Sequence, residues 1–124
     1  MNNKIKIKIS GKILEAELNQ TGTASKIIDV LPLSTEINHW GGEIYFKIPV
    51  NAELENGTEI LEKGSLAFWP PGNAFCIFFG PTPVSTDSRP RATSPVTLIG
   101  KLSNASDFNI LKGSSDGQKI TITK

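Results

Sequence analysis

The stretch Lys4-Ile5-Lys6-Ile7-Lys8-Ile9 constrains this chain more than any other, because lysine and isoleucine alternate through it without a break. Successive side chains of a strand point to opposite faces, so a period of two gives one apolar face and one charged face. A helix would scatter the same isoleucines around its girth. The stretch therefore reads as a strand with a buried isoleucine face. Its lysine face is solvated, which also discourages edge-to-edge pairing. Phosphate binding is the competing reading of the three lysines. The net charge of +1 disfavours it, since a dedicated nucleic-acid binder carries a basic face or stripe. No nucleic-acid partner is expected.

The rest of the chain punctuates into similar short pieces. Ser10-Gly11 is a turn signal, and residues 12–18 complete a hairpin. Thr21 or Thr23 can cap a helix over residues 24–31, with Ile27, Ile28 and Leu31 at helical spacing and Pro32 as its stop. Strands are expected over 36–40 and 43–48, joined through Gly41-Gly42 and ended by Pro49. Residues 52–63 are acidic and polar, with a turn at Asn56-Gly57. Ser65–Trp69 and the dense apolar run Ala74–Phe79 read as strands around a sharp turn at Pro70-Pro71-Gly72-Asn73, the second buried on both faces. Residues 80–95, with Pro81, Pro83, Pro90 and Pro95, read as a long loop of the kind that carries function. A strand over 95–101, a short helix from Ser106 or Asp107 to Leu111, and an alternating strand over 119–123 finish the chain. About eight short strands and two helices suggest a sandwich or a closed barrel, and pairing the first strand with the last would close the sheet.

A length of 124 residues fits one domain, residues 1–124, able to bury a core without disulfides or a structural metal. Hydrophobic residues make up 38% and charged residues 20%, which excludes a disordered chain. No apolar run approaches the roughly 20 residues that cross a bilayer, so no membrane partner is expected. Cys76 is the single cysteine, so no intrachain disulfide can form, and Met1 to Lys4 lacks the apolar core of a signal peptide. A cytoplasmic location is the expectation, and the Asn-x-Ser/Thr matches at Asn19, Asn56 and Asn104 then count as chance.

Few residues carry obvious chemistry. One histidine and one cysteine make no metal cluster, and no cofactor is expected. Cys76 lies among Phe75, Ile77 and Phe78 and reads as core. His39 would be the base of any Ser-His-Asp hydrolase, but no Gly-x-Ser-x-Gly elbow is present, so it reads as structural or pocket-lining. Gly41-Gly42 is a turn and not a phosphate loop. Trp40 and Trp69 sit beside Gly and Pro corners, where an indole can line a barrel mouth or plug it. Glu43 can pair with Arg89 or Arg91 across a groove, or sit on a solvated strand end.

Two segments carry a family resemblance. They are Trp69-Pro70-Pro71-Gly72-Asn73-Ala74-Phe75-Cys76-Ile77-Phe78-Phe79-Gly80-Pro81-Thr82-Pro83 and Asn38-His39-Trp40-Gly41-Gly42-Glu43-Ile44-Tyr45-Phe46. Both resemble signatures of a small prokaryotic family of uncharacterised cyclophilin-like proteins, typified by a Thermotoga protein. The resemblance extends over nearly the whole chain and implies a mainly β fold, a closed eight-stranded cyclophilin-like β-barrel capped by two short helices. Gly72-Asn73-Ala74-Phe75, the strand from Val96 to Leu102 and the closing Lys119-Ile120-Thr121-Ile122 are similar to segments of true cyclophilins. The Phe-His-Arg segment that carries their catalytic arginine is absent, and its nearest echo is Phe46-Lys47-Ile48-Pro49.

Two functional expectations follow. The first is a small-ligand or peptide-binding module with a groove near the barrel wall, lined by Trp40, Glu43, Tyr45, Trp69 and Phe79 and flanked by Arg89 and Arg91. A proline-containing peptide or a small molecule is its expected partner. The second is a divergent peptidyl-prolyl isomerase. Amide resonance sets a barrier of about 18–20 kcal/mol, so a catalyst needs an apolar pocket and a donor aimed at the imide nitrogen. Phe68, Trp69, Phe75, Phe78, Phe79 and Tyr45 could supply the pocket, and Arg89, Arg91 or Lys47 the donor. An oligomerisation surface built on the same aromatics is a third reading, with the oligomeric state left open.

Overall fold

A computed structural model describes residues 3–124. Met1 and Asn2, part of the segment read above as lacking a signal-peptide core, lie outside the described residues.

The opening hairpin forms as its pattern dictates. Strands β1 (Lys4–Ile9) and β2 (Lys12–Leu18) pair antiparallel, and Ser10 and Gly11 both take positive φ, as a two-residue hairpin turn requires. Ile5, Ile7, Ile9, Leu14, Ala16 and Leu18 are buried. On the other face Lys4 stands opposite Glu17 and Lys6 opposite Glu15, so two of the lysines meet carboxylates across the strands.

Helix α1 (Gly22–Asp29) begins earlier than the spacing of its isoleucines predicts. Thr21 caps it, its Oγ1 accepting from Ala24 N. A second cap comes from afar: the Glu55 carboxylate accepts from Gly22 N, Thr23 N and Thr23 Oγ1. These bonds hold the Glu55 carboxyl below its ordinary value.

The remaining elements are β3 (Leu33–Glu36), β4 (Asn38–Trp40), β5 (Glu43–Lys47), β6 (Thr58–Ile60), β7 (Ser65–Trp69), a 3-10 turn over Pro70–Gly72, β8 (Ala74–Phe78), β9 (Arg91–Leu102), a 3-10 turn over Ala105–Asp107, α2 (Phe108–Lys112) and β10 (Lys119–Thr123). The strands form one antiparallel sheet in the order β3-β10-β1-β2-β9-β7-β8-β5-β4, with β6 pairing β9 beside this path. Ten strands replace the expected eight. The first and last strands pair as expected, but β1·β10 is an interior ladder of the sheet and not a closing seam. The hydrogen-bonded ladder does not return on itself, because its ends, β3 and β4, do not pair. The strand read as one piece over 36–40 is split at Ile37, with β3 bound to β10 and β4 bound to β5.

The main core fills the inner face, where Phe46 and Phe75 stack with ring centroids 5.2 Å apart. A smaller cluster of Leu61, Ala67, Ala74, Cys76, Phe78, Ala92 and Val96 lies apart from it. Strand β8 explains the division. Phe75 and Ile77 belong to the main core, and the alternate residues Ala74, Cys76 and Phe78 belong to the smaller cluster. Burial on both faces is why β8 reads as an unbroken apolar run. The segment expected to be loop through residue 95 ends sooner, since β9 begins at Arg91 and pairs with β6 across a register shift between Thr58 and Ile60.

Candidate functional site

The site grows from a two-residue turn. Gly41 and Gly42 join β4 to β5, and Gly41 has a φ of 57°. The turn is clamped to the chain that follows β8: Gly42 N donates to Pro81 O at 2.8 Å, and Phe79 N donates to Gly42 O at 2.8 Å. The approach is so close that a Cβ on Gly42 would sit 2.2 Å from the Gly80 carbonyl carbon. The clamp holds the turn beside Trp40, which stands directly opposite Glu43. Glu43 and Tyr45 share one face of β5, and Tyr45 lies opposite Cys76 of β8.

Trp69 is positioned at three points. It pairs with Ala74 across β7·β8, its Nε1 donates to Ser94 Oγ at 2.7 Å, and its ring packs so near Gly72 that a Cβ there would come within 2.7 Å. Together Trp40, Glu43, Tyr45, Trp69, Ala74, Cys76, Ala92, Thr93 and Val96 enclose a cavity of about 240 Å³.

Glu43 is the chemically distinctive member. It is only 7% exposed. Burial pushes its carboxyl up to about 7, and a hydrogen bond with the Cys76 thiol opposes that rise in part. The thiol in turn is pushed well above its ordinary value by burial and by the charge on Glu43, which makes it a poor nucleophile. No lysine, arginine or histidine lines the cavity. Among the described residues no group of three His, Cys, Asp or Glu side chains could hold a metal ion. No helix among them is long and apolar enough to cross a membrane.

Four of the expected site residues, Trp40, Glu43, Tyr45 and Trp69, meet here, and three do not. Phe79 is buried in the main core, one residue along from Phe78 and so on the opposite side of the chain. Arg89 pairs with Asp87 at 2.7 Å, which lowers that carboxyl to about 2, and lies on a separate groove with Leu98 and Lys101. Arg91 reaches Glu59 at 3.3 Å. Neither arginine pairs with Glu43. Lys47 is exposed and does not line the cavity. Phe68 and Phe75 are in the main core, and Phe78 is in the smaller cluster. Cys76, read as core, is both buried and a wall of the cavity, and Ala74, Ala92, Thr93 and Val96 join it there. Their one signal in sequence is size: Ala74 and Cys76 are small residues at alternate positions of a strand otherwise built from Phe and Ile.

The groove that holds Arg89 is larger, about 690 Å³, but its charged lining residues, Glu17, Glu62, Lys63, Arg89 and Lys101, are all exposed. His39 does meet a serine and an aspartate, with Nδ1 at 2.7 Å from Asp116 Oδ1 and Nε2 at 2.8 Å from Ser114 Oγ. The Ser114 hydroxyl donates to Leu111 O, so its proton is directed away from the imidazole. Asp116 Oδ1 also accepts from His39 N at 2.8 Å. This is a clasp between β4 and the loop before β10, and neither His39 nor Ser114 lines the aromatic cavity.

The family described as cyclophilin-like matches residues 3–123. Among solved structures, the chain is similar to the solution structure of a hypothetical protein from Archaeoglobus fulgidus. The two are 36% identical, over 98% of this chain and 94% of that one, with a TM-score of 0.80. No curated protein matches the chain.

Proposed function

The chain belongs to the cyclophilin-like family, and from that premise we propose that it is a binding module that takes a small molecule or a short peptide into the cavity between Trp40, Tyr45 and Trp69. The observation that carries this reading is the nearly buried Glu43 in a cavity lined by Trp40, Tyr45 and a Trp69 held by Ser94. Pre-formed apolar sites with one well-placed polar group are the usual form of small-ligand sites. Trp69 is held by its bond to Ser94 and its contact with Gly72, and the clamped turn fixes the backbone that carries Trp40, which lowers the ordering cost on binding.

The isomerase reading has less support. It needs a cation or donor aimed at a proline nitrogen, yet Arg89 and Arg91 are engaged with Asp87 and Glu59, and Lys47 lies outside the cavity. Fold alone does not carry chemistry. The barrel expectation also belongs with this proposal: the two ends of the sheet are joined by the single residue Ile37, which supports a barrel wrapped by chain continuity. A cytoplasmic setting is proposed with it, on the single, buried and unpaired Cys76.

The test is an NMR titration of the labelled protein with a fragment library and an Ala-Pro peptide series. Shifts centred on the Trp40 and Trp69 indoles without accelerated cis–trans exchange support a binding module. Accelerated exchange would replace it with an isomerase. Shifts centred elsewhere would remove the cavity from the argument.

A further inference from the structure

Three aromatic side chains and one nearly buried carboxyl line the same cavity, and no cationic side chain lines it with them. We propose that the cavity binds a small organic cation, an alkyl- or quaternary ammonium group, with Glu43 as its counter-charge and Trp40, Tyr45 and Trp69 as its aromatic walls. This deepens the binding reading above and rests on it.

Glu43 lacks a counter-charge among the described residues. A carboxylate out of water needs a partner charge or several good donors. The Cys76 thiol beside it is a weak donor whose proton also reaches Ala74 O at 3.8 Å, and no ion pair among the described residues includes Glu43. The two arginines that the sequence offers as counter-ions are committed elsewhere, Arg89 to Asp87 and Arg91 to Glu59. The ionised form of Glu43 is thus complementary to a cation that the chain itself does not supply.

The walls select the same chemistry. Aromatic rings present a negative face, which attracts a cation within about 6 Å of the ring centre, most strongly for Trp. An anionic ligand would meet repulsion from both the rings and the carboxylate. A neutral ligand would gain only apolar contact. Size fits the same class: about 240 Å³ has room for an ammonium head group and its alkyl substituents.

Protonation supplies a signature. The titratable groups facing the Glu43 carboxyl in the cavity are Cys76 from β8 and Tyr45 from β5; β4, β7 and β9 contribute Trp40, Trp69, Ala92, Thr93 and Val96, none of which titrates. A cation prefers ionised Glu43, so its affinity rises as that carboxyl loses its proton near pH 7.

The experiment is an NMR titration of the two indole Nε1 resonances with choline and with its neutral carbon isostere 3,3-dimethylbutan-1-ol, at pH 6 and pH 8 in low salt. Choline is expected to bind at least about tenfold more tightly than the isostere at pH 8, and about tenfold more tightly at pH 8 than at pH 6, with the isostere insensitive to pH. E43Q should lose about tenfold in choline affinity and keep that of the isostere. The wild-type pH comparison needs no variant and stands even if E43Q folds poorly. Equal binding of choline and isostere would overturn the cation and leave the cavity as a ligand site. Absence of both would overturn the cation, while the fragment library judges the cavity separately. A short trimethyllysine peptide separates the sources of the group: tighter binding than choline marks an ammonium carried on a chain, weaker binding marks a free small cation, and either result supports an ammonium site.

Discussion

Trp40 and Glu43 stand directly opposite each other at the end of the β4–β5 hairpin, an indole beside a carboxyl that is 7% exposed. Side chains opposite each other on an antiparallel pair lie about 4.5–5.5 Å apart at Cβ, close enough to interact. The hairpin turn that sets their register is itself clamped to Gly80 and Pro81.

Glu43 makes stability depend on pH. Its carboxyl titrates near 7 in the folded chain against an ordinary value of 4.5. The folded chain therefore holds this proton more tightly over that window. The resulting stabilisation is fully present below about pH 4.5 and is lost as pH rises through 7. In urea unfolding at pH 4.5 and pH 8, E43Q should gain on the wild type by roughly 2–3 kcal/mol at the higher pH. A difference between the two proteins that stays constant across these pH values would refute the assignment.

Gly42→Ala should be severe. Its Cβ would meet the Gly80 backbone at 2.2 Å, and backbone cannot step aside as a flexible side chain can. A loss of at least about 2 kcal/mol is expected, with a shifted Trp40 indole resonance. Gly11→Ala is the contrast: the turn there is open, and only positive φ opposes the change, so about 1 kcal/mol is expected and both indoles should be unmoved.

Ser94→Ala leaves the Trp69 Nε1–H without its partner. Stability should fall by about 1 kcal/mol, and ligand affinity should fall with it because the ring is no longer held in place. Chemical denaturation and the fragment titration read the two effects separately. Unchanged affinity would show that Ser94 does not position the ring.

Ser114 should not react as a nucleophile, despite the His39 and Asp116 contacts, because its proton goes to the Leu111 carbonyl. A fluorophosphonate probe followed by mass spectrometry should leave Ser114 unlabelled. Stoichiometric labelling at that residue would make the clasp a catalytic triad.

Local pattern alone determined much of this protein. Alternation placed β1, β2 and β10 and told which face of each is buried. Thr21 or Thr23 marked the approximate start of α1, which the tertiary structure set at Gly22 with Thr21 as its cap, and the unbroken apolar run of β8 announced cover on both faces. The corners at Gly41-Gly42 and Pro70-Pro71 pointed to Trp40 and Trp69, two of the cavity's lining residues. Chain pattern carries this information because it depends on residues a few positions apart. Strands β3 and β6 escaped notice, being short and only half-buried, and they exist because β10 and β9 offer them ladders. Residues 91–94 read as loop because the strand there depends on distant partners, Arg91 pairing with Ile60 about thirty positions away. Where charges go was decided by tertiary structure alone. Arg89 found Asp87 and Arg91 found Glu59, so Glu43, which the sequence offered to either, was left in an aromatic cavity without a cationic partner. An ion pair forms with whatever the fold brings within reach, and that proximity is a property of the packed sheet that no local run of residues encodes.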